Sequence, residues 1–558
     1  MKNKPFVYVE NLSLRFDHTN EIETLSNISF AMQEGESLLL LGPSGSGKST
    51  LTFCLNGLYP RELDGEMTGD IVIAGKRTND YQPGELSQFV GVVFQDPETQ
   101  FCMLTVEDEI AFGLENMCTP YEKMSAKIDE VLALVGLSKY KTATIARLSG
   151  GQKQKLALAC ILALEPKLLI LDEPTANLDP VSAKEVMKTI KKLKEKVNCS
   201  LIIIEHQLDG WTDVAERCIL LNQKGNIFFD GSLRDAIAHE YPKLIEEGIW
   251  LPKVAQYVLH HMEHVPATVP LTLAEFATQV NCFGKIEWKK PTSMQQNVTV
   301  PFIKLENVSW TVNRQRILSR ISFTLYKDEF VAIVGANGSG KTSLSRIIAG
   351  IQKPTDGNIY IKEKALKVWQ EGDLRKELGY VFQNPEHQFI ANTVFDEVAF
   401  TLRTKGMKAD EVKEKVRHVL AVCGISHLEN EHPYTLSQGQ KRRLSVATMV
   451  VDNQTMLLLD EPTFGQDASS NKKLMELLVN RYEAGTAITM ITHDMELVHQ
   501  YATRVIVMHK GEIVADCTPI ELWNYPKTQL DVWQLTIPVP EKMQRIWERN
   551  VAYVSSPS

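Results

Sequence analysis

Short, continuous runs of apolar residues recur along the chain and are separated by more polar stretches. Such runs predict buried strands of a parallel sheet, because a strand covered on both faces needs no polar side. Glycine-rich turns follow several of them, so the pattern indicates an α/β protein. The predicted strands are residues 37–41, 168–171, 201–204, 330–334, 456–459 and 487–491.

Helical segments are predicted between these strands. Residues 106–137 have helical character and carry Glu107, Asp108 and Glu109 near their start, where acidic side chains favour a helix N-terminus. Residues 49–51 open a further helix after the first glycine-rich turn. The other predicted helices are residues 152–164, 233–257, 272–277 and 440–450.

The two halves of the chain repeat one another. A glycine-rich segment at 42–49 recurs at 335–342, and four further landmarks follow in the same order. The offsets range from 287 (493 − 206) to 293 (335 − 42) residues, which is too long for a solenoid repeat. We therefore expect a tandem duplication. Its parts are domains at 5–247 and 302–535, a linker with short helices at 248–301, and a C-terminal tail at 536–558 that frays.

Composition narrows the class of protein. Hydrophobic residues make up 44% and charged residues 23% of the 558 positions, as in globular proteins. The net charge of −9 argues against a nucleic-acid-binding surface. No apolar run is long enough to span a bilayer, and the nine cysteines form no CxxC pair. We expect a reduced, cytoplasmic chain without a membrane span, a zinc site or a nucleic-acid partner.

Each half contains a GxxxxGK[ST] loop between a predicted strand and a predicted helix. The backbone N–H groups of such a loop converge on phosphates, and the helix N-terminus favours negative charge. We expect Lys48 and Lys341 to reach the β- and γ-phosphates, and Ser49 and Thr342 to hold Mg²⁺. The alternative is a glycine-rich turn that binds no ligand. Such a turn could account for a single match to the motif, but it accounts less well for two. The predicted phosphate-binding residues are Gly42, Pro43, Ser44, Gly45, Ser46, Gly47, Lys48, Ser49, Gly335, Ala336, Asn337, Gly338, Ser339, Gly340, Lys341 and Thr342.

An Asp-Glu pair follows one predicted strand in each half. A carboxylate at the end of a strand beside a phosphate loop suits a Mg²⁺ ligand, which we assign to Asp172 and Asp460. The next residues, Glu173 and Glu461, can orient or deprotonate an attacking water. The alternative is an acidic pair on a surface loop, which does not explain its place after the phosphate loop in both halves.

Two further polar residues follow predicted strands in each half. Gln95 and Gln383 carry amides that can meet Mg²⁺ or the attacking water, although either could be a solvated loop glutamine. His206 and His493 can contact the γ-phosphate, although a structural histidine is the simpler interpretation of either alone.

A second possible anion site opens a later helix in each half. The segments 149–151 and 437–439 place serine and small residues before a helix, where N–H groups are unpaired. An ordinary serine N-cap is the alternative. A nucleotide belonging to the other half would explain why one domain has two such sites.

These landmarks, repeated twice in one order, resemble the ATP-binding cassette (ABC) family over residues 5–247 and 302–535. The resemblance implies tandem P-loop NTPase domains, each with a mixed sheet core and a helical subdomain, paired head-to-tail within the chain. It also implies ATP and Mg²⁺ as cofactors, and hydrolysis of ATP that is coupled to transmembrane transport. ATP would clamp the closed pair and hydrolysis would release it.

In this family each ATP lies between one phosphate loop and the signature helix of the other domain. The metal ligands implied here are Ser49, Gln95, Asp172, Thr342, Gln383 and Asp460, and the catalytic residues are Glu173, Glu461, His206, His493, Gln95 and Gln383. The signature residues acting in trans are Ser149, Gly151 and Gln152 for one site and Ser437, Gly439 and Gln440 for the other.

The two halves depart from the family pattern in different ways. Phe16 aligns with the aromatic residue that stacks on adenine, whereas the second half has Val312 there, with Trp310 two residues earlier. Gln438 replaces the first signature glycine of the second half. We still expect both sites to hydrolyse ATP, because both keep the Lys, Asp, Glu and His residues.

A narrower resemblance involves residues 94–101 with 105–113, 382–389 with 393–400, and 436–443, which are similar to importers of the energy-coupling-factor type. It implies uptake of a vitamin or a metal ion, as in ATPases assigned to hydroxymethylpyrimidine/thiamine or cobalt. It further implies a transmembrane coupling subunit that docks around the Gln loop, a substrate-binding membrane subunit, and a peripheral location on the cytoplasmic face of the cell membrane.

Two other classes of protein also have duplicated cassettes and no membrane span. Soluble tandem cassettes that act on ribosomes usually carry a long charged helical arm, but residues 265–278 are apolar and contain proline. DNA-repair ATPases show zinc cysteine pairs or long coiled coils, and the sequence has neither. The importer interpretation is therefore preferred.

Overall fold

A computed structural model describes residues 4–16, 23–82, 84–176, 178–197, 199–261, 266, 268–280, 283, 300–463 and 465–555. The chain forms two compact units, Met1–Thr272 and Leu273–Ser558, which we call the first and the second unit. Most of the predicted linker segment 281–300 lies outside the described residues. Within the described part, no helix combines the length and the apolar character that crossing a membrane requires.

The first unit contains a six-stranded and a four-stranded sheet. Its strands are β1 (Val7–Arg15), β2 (Leu25–Met32), β3 (Ser37–Leu41), β4 (Glu66–Ile73), β5 (Lys76–Arg77), β6 (Val90–Val93), β7 (Leu168–Asp172), β8 (Ser200–Ile204), β9 (Arg217–Leu221) and β10 (Ile227–Gly231). The larger sheet has the order β10-β9-β3-β8-β7-β6, in which β10 pairs antiparallel and the others parallel. The smaller sheet is antiparallel, in the order β2-β1-β4-β5.

Two hydrophobic cores cover the faces of this larger sheet. Along β3, Leu39 and Leu41 pack into the core that contains the helices, while Leu38 and Leu40 pack into the core under the antiparallel sheet. This alternation explains why the strand is apolar at consecutive positions. The helices are α1 (Lys48–Leu55), α2 (Leu58–Arg61), α3 (Val106–Asn116), α4 (Tyr121–Val135), α5 (Gly150–Ala163), α6 (Pro180–Lys196), α7 (Leu233–Glu246) and α8 (Lys253–His260).

The second unit repeats this arrangement. Its strands are β11 (Pro301–Val312), β12 (Gln315–Tyr326), β13 (Phe330–Val334), β14 (Asp356–Ile361), β15 (Lys364–Ala365), β16 (Leu378–Val381), β17 (Met456–Asp460), β18 (Ala487–Ile491), β19 (Arg504–His509) and β20 (Glu512–Cys517). The sheet orders are β16-β17-β18-β13-β19-β20 and β12-β11-β14-β15, the same as in the first unit. The α/β fold expected from the sequence is therefore confirmed, with a mixed sheet in each unit.

Helices of the second unit follow the same plan and add a C-terminal group. They are α9 (Leu273–Gln279), α10 (Lys341–Ile348), α11 (Glu371–Glu377), α12 (Val394–Thr404), α13 (Ala409–Val422), α14 (Gln438–Val450), α15 (Ala468–Glu483), α16 (Met495–Tyr501), α17 (Pro519–Trp523), α18 (Lys527–Val532) and α19 (Val539–Ser555).

Two predicted helices are each divided in the structure. The segment 106–137 forms α3 and α4, because Cys118 has a positive φ of 53° and Pro120 caps the second helix. The segment 233–257 forms α7 and α8, separated by Gly248 with φ 68° and by Pro252. The helices predicted at 152–164 and 440–450 each begin two residues earlier, after a serine N-cap.

The C-terminal tail is ordered where the sequence predicted fraying. Helix α19 packs on α9, and its Met543 is fully buried. Arg545 Nη2 donates to the carbonyl oxygen of Trp523 at 2.8 Å, and Val539 N donates to a Glu496 carboxylate oxygen at 3.0 Å. These tertiary contacts hold the helix, so the fraying prediction is wrong over Val539–Ser555; residues 556–558 lie outside the described part.

Candidate functional site

Each predicted phosphate loop joins a central strand to a helix. The first connects β3 to α1 and the second connects β13 to α10. Lys48 Nζ donates to the carbonyl oxygens of Gly42 at 2.9 Å and Pro43 at 2.8 Å. Lys341 Nζ makes the same two bonds, to Gly335 and Ala336, both at 2.8 Å. Both ammonium groups therefore lie over their own loop, where a phosphate chain would pass.

The glycine before each of these helices is required by the backbone. Gly47 has φ 87° and Gly340 has φ 101°, and both cap a helix that starts at the lysine. A Cβ on Gly47 would lie 2.8 Å from the carbonyl oxygen of Thr24, and one on Gly340 would lie 2.7 Å from Leu318 Cδ2. The first-turn N–H groups of α1 and α10 lack helical partners and can bind an anion.

The predicted metal ligands are buried carboxylates at the ends of β7 and β17. Asp172 is 6% exposed and Asp460 is fully buried. Burial raises the pKa of each carboxyl to about 6, and the adjacent Glu173 or Glu461 adds to the rise. The hydroxyl groups of Ser49 and Thr342, which follow the phosphate-loop lysines, lower the pKa of Asp172 and Asp460, respectively.

The donor set fits a magnesium ion. Among the described residues, neither buried carboxylate oxygen of Asp460 has a hydrogen-bond partner of normal geometry, which is costly for a polar group unless something else coordinates it. A divalent cation would supply the missing partner and favour the ionised carboxylate. Thr342, the P-loop residue expected to share the ion, lies close enough to lower the pKa of Asp460.

The two predicted catalytic glutamates have a strained backbone. Glu173 has φ 49° and Glu461 has φ 52°, although neither is glycine. Their N–H groups donate to the carbonyl oxygens of Ile204 at 2.9 Å and Ile491 at 3.0 Å, so the neighbouring strand fixes this conformation. Non-glycine residues in the left-handed region cost free energy and concentrate at functional sites. The strain therefore indicates a functional position in both units.

In the first unit the side chains of two predicted catalytic residues, Gln95 and His206, contact the carboxylate of a third, Glu173. Gln95 Nε2 donates to Glu173 Oε2 at 2.8 Å, and His206 Nε2 lies 3.0 Å from Glu173 Oε1. Burial alone raises the pKa of Glu173, but His206 and Lys48 outweigh it, so the pKa lies below its usual value. An ionised carboxylate held in this way can accept a proton from water.

The second unit brings together fewer of these groups. His493 Nε2 lies 2.8 Å from Glu461 Oε1, and the histidine with Lys341 holds the pKa of Glu461 below its usual value despite burial. Gln383 is exposed, and within the part of the chain that the structure describes it makes no hydrogen bond to Glu461. The two predicted sites therefore differ at the glutamine.

The signature segments form capping boxes. The hydroxyls of Ser149 and Ser437 each accept a 3.4 Å hydrogen bond from the N–H of Gln152 or Gln440. In return, the glutamine side-chain oxygen accepts from the serine N–H, at 2.9 and 2.8 Å. The N-cap alternative is thus present, and it leaves each serine O–H able to donate to an anion. A Cβ on Gly151 would lie 3.0 Å from Ser182 Cβ.

Phe16, the predicted adenine-stacking residue, lies just beyond β1 and is 43% exposed. Its ring meets Tyr59 edge-on, with ring centroids 5.5 Å apart. Of the second-unit residues considered for this role, Val312 is 38% exposed at the end of β11. The exposed face of Phe16 is thus able to stack on a base, whereas Val312 offers no ring.

Sequence reasoning missed Glu205, which directly precedes His206. Its Oε1 accepts hydrogen bonds from Thr175 N at 3.0 Å and Thr175 Oγ1 at 2.6 Å. Burial raises the pKa of Glu205 to about 8, and the nearby Glu173 adds to the rise. The residue therefore connects the segment after Glu173, the predicted catalytic glutamate, to the strand that precedes His206. Its adjacency to His206 was the one signal in the sequence.

This buried carboxyl predicts a pH dependence of stability. Because the folded chain holds the Glu205 proton more tightly than the unfolded chain, its contribution is greatest below the ordinary pKa and is lost as the pH rises through about 8. Between pH 5 and pH 8 the free energy of unfolding of the wild type should fall by about 3 kcal/mol relative to that of Glu205→Gln, because the variant has no proton to lose at this position. Denaturant unfolding at the two pH values measures this difference. The exposed Glu185, changed to Gln, is the control. An equal pH profile for Glu205→Gln and wild type would contradict the prediction.

Comparison with known proteins identifies the family. The family model for ABC transporters matches residues 25–176 and 318–464. A Bacillus subtilis (strain 168) protein named as a candidate HMP/thiamine import ATP-binding protein, YkoD, is 44% identical over 95% of each chain. A Methanosarcina mazei protein named as a candidate ABC transporter ATP-binding protein is 34% identical over 96% of this chain and 93% of that protein.

Among solved structures, cbiO1 from Clostridium perfringens, described as part of the ABC transporter complex cbiONQ, is 30% identical. The match covers 44% of this chain and 99% of the cbiO1 chain, with a TM-score of 0.38. The family match includes both phosphate loops and both Asp-Glu pairs, at the positions that the geometry singles out. The chain belongs to the ABC transporter family, as the ATP-binding and ATP-hydrolysing subunit of an ABC transporter with two fused cassettes.

Proposed function

We propose that this chain drives an importer of the energy-coupling-factor type, in which it is bound peripherally to the cytoplasmic face of the cell membrane. The observation that carries the proposal is a set of exposed apolar side chains after the Gln loop of each unit. Leu104 is 80% exposed and Ile390 is 67% exposed. Phe112 and Phe400, which occupy equivalent positions of α3 and α12, are 36% and 51% exposed.

We call Leu104, Phe112, Ile390 and Phe400 the docking surface. Phe112 and Phe400 occupy equivalent positions (400 − 112 = 288), whereas Leu104 and Ile390 lie in the same loop of each unit but two residues out of register. Large apolar side chains exposed in the same region of two repeated units are typical of protein interaction sites. In the importers that this sequence resembles, the region around the Gln loop receives coupling helices from a transmembrane subunit. A coupling subunit that contacts both units, together with a substrate-binding membrane subunit, is the partner set we propose.

For the substrate we propose a vitamin of the hydroxymethylpyrimidine/thiamine class rather than a metal ion. The support is the relative named for HMP/thiamine import, which is 44% identical over 95% of this chain. We place the choice of substrate in the substrate-binding membrane subunit rather than in this chain.

For the nucleotide sites we propose the composite arrangement that the family resemblance implies. Lys48 and Lys341 contact phosphates, Asp172 and Asp460 hold Mg²⁺, and each site is completed by the signature serine of the other unit. The buried carboxylate of Asp460, whose oxygens have no normal hydrogen-bond partner in the part of the chain that the structure describes, and the serine hydroxyls left able to donate support this assignment.

The docking surface is tested by co-expression with the two membrane subunits proposed here, a coupling subunit and a substrate-binding subunit. We expect the wild-type chain to sediment with membranes only when those proteins are present. Leu104→Glu combined with Ile390→Glu should move most of it to the supernatant, because each change places a charge in an apolar interface. The matched control is Ile245→Glu with Ile520→Glu, which changes exposed isoleucines of α7 and α17 and should leave sedimentation intact.

Two results would contradict the proposal. Co-sedimentation with ribosomes, independent of the membrane proteins, would indicate the soluble tandem-cassette class. ATP-dependent uptake of Co²⁺, but not of labelled hydroxymethylpyrimidine or thiamine, into vesicles that carry the purified complex would overturn the substrate class and keep the importer.

A further inference from the structure

The two units hold their Gln loops in different ways. Gln100 and Gln388 occupy equivalent positions, 288 residues apart (388 − 100), at the ends of short 3₁₀ turns after the loop glutamines. In the first unit, Gln100 Nε2 donates to the carbonyl oxygen of Val92 at 3.0 Å and its Oε1 accepts from Phe94 N at 3.0 Å. The side chain therefore binds the loop to the end of its own strand, β6.

In the second unit the equivalent amide binds the signature helix instead. Gln388 Nε2 donates to the carbonyl oxygen of Ser445 at 2.8 Å and also to Thr448 Oγ1. Ser445 Oγ donates to Gln388 Oε1 at 2.8 Å. Both ends of the amide are thus occupied by α14, and the loop is attached to that helix.

The sequence explains the difference. Ser445 and Thr448 are replaced in α5 by Ala157 and Cys160, at the same offset of 288 residues (445 − 157). Alanine offers no side-chain hydrogen bond and a thiol offers only a weak one. With no hydroxyl to meet it, the glutamine of the first unit bonds to the strand instead.

A buried arginine makes a second connection in the second unit. Arg442 is 6% exposed, and its Nη1 donates to the carbonyl oxygen of Phe382 at 3.2 Å. Phe382 immediately precedes Gln383. Gln154 occupies the equivalent position of α5 and is 3% exposed, and its buried Nε2 has no hydrogen-bond partner among the residues that the structure describes.

One contact is common to both units and serves as the reference. Lys153 binds Glu98 and Lys441 binds Glu386, each at 2.6 Å, so a lysine of each signature helix meets the turn after the Gln loop. The side-chain exposure of the lysines is 15% and 10%. The second unit therefore adds partly buried hydrogen bonds to a link that the first unit has as an ion pair.

We propose that Gln388, Ser445, Thr448 and Arg442 are positioning residues that couple the second Gln loop to its signature helix. The placement of Gln383 then follows the movement of α14, whereas the placement of Gln95 follows the core sheet. The inference rests on the proposed role of Gln383 in hydrolysis. It assigns the two ATP sites different mechanical roles: the second responds to movement of the helical layer that carries Ile390 and Phe400.

The test gives α14 the residues of α5. Ser445→Ala with Thr448→Cys, in the full-length chain, removes the two hydroxyls that meet Gln388. Amide hydrogen exchange over residues 384–390 is expected to become about tenfold faster, because two hydrogen bonds no longer hold the turn. In a Glu173→Gln background, which leaves the second site to hydrolyse ATP, kcat should fall about tenfold while the KM for ATP stays the same.

The matched control is Ala157→Ser with Cys160→Thr in α5. Exchange over residues 96–102 should stay the same, because Gln100 is already bonded to Val92 and Phe94. The single variant Thr448→Ser keeps a hydroxyl at both positions. It should therefore show the slow exchange and the kcat of the chain with unchanged α14, whereas a general loss of stability would not spare this conservative variant. If the double variant does not fold, Gln388→Met removes the same bonds from the other side.

The outcomes separate this inference from the proposed role of the loop. Unchanged exchange over 384–390 in a folded double variant, or in Gln388→Met, overturns the coupling. Faster exchange with unchanged kcat also overturns it, provided that Gln383→Ala lowers kcat in the same background. If Gln383→Ala itself leaves kcat unchanged, the proposed role of Gln383 is wrong, and with it the catalytic part of the inference.

Discussion

We expect that replacing both Glu173 and Glu461 by glutamine lowers the kcat for ATP hydrolysis by about 100- to 10,000-fold, the range associated with loss of a general base. Glutamine has the shape of glutamate but cannot accept the proton of the attacking water. Each carboxylate has a pKa held below its usual value by a histidine 3.0 or 2.8 Å away, so it is ionised and available. ATP binding, measured separately by equilibrium dialysis, should persist.

The single variants decide whether both sites work. Because both units keep the glutamate, the histidine and the buried aspartate, we expect Glu173→Gln and Glu461→Gln each to lower turnover. A rate that is unchanged in one of them would identify that site as inactive. Glu185→Gln, an exposed glutamate of α6 paired with Lys155 at 2.9 Å, is the matched control and should retain the wild-type rate.

The parts of the fold that the sequence predicted correctly depend on local signals. The predicted strands at 37–41, 330–334 and 487–491 have the same bounds as β3, β13 and β18. A fully buried strand needs an unbroken apolar run, and a phosphate loop needs glycines with positive φ at fixed positions. Both requirements appear in consecutive residues, so they can be identified without tertiary information.

The features that were missed depend on residues far apart in the chain. Helix α19 is stable because it packs on α9, more than 250 residues earlier in the sequence, and a tail rich in serine and proline at its end gave no sign of that contact. Glu205 has a raised pKa because the fold buries it near Glu173, and it bonds Thr175, 30 residues away. Neither contact has a sequence pattern of its own.

The difference between the two Gln loops also could not be predicted from the sequence alone. Gln100 and Gln388 are the same residue at equivalent positions, so the sequence alone predicts the same role for both. Their partners differ because positions 57 and 60 residues further on carry hydroxyls in one unit and not in the other. Gln95 bonds to Glu173 while Gln383 is exposed, which is the difference that the two Gln loop attachments would produce at Glu173 and Glu461.

The other large effect is expected at the phosphate loops. Lys48 is 7% exposed and Lys341 is 6% exposed, so each presents a largely buried ammonium where the β- and γ-phosphates would lie. Alanine at either position would leave a phosphate charge unpaired in a partly dehydrated site. Breaking such a buried pair costs about 3–5 kcal/mol, which corresponds to a loss of affinity of about 100-fold or more.

Lys48→Ala combined with Lys341→Ala should therefore raise the Kd for ATP by about 100-fold or more, measured with a fluorescent ATP analogue. Lys155→Ala, in which a surface ion pair is lost instead, should bind ATP like the wild type. The thermal midpoint separates loss of binding from loss of folding, because each lysine also bonds two carbonyl oxygens of its loop. An unchanged Kd in a folded double variant would mean that the loops hold the phosphates through backbone N–H groups alone, and that the ammonium groups bind only their own loops.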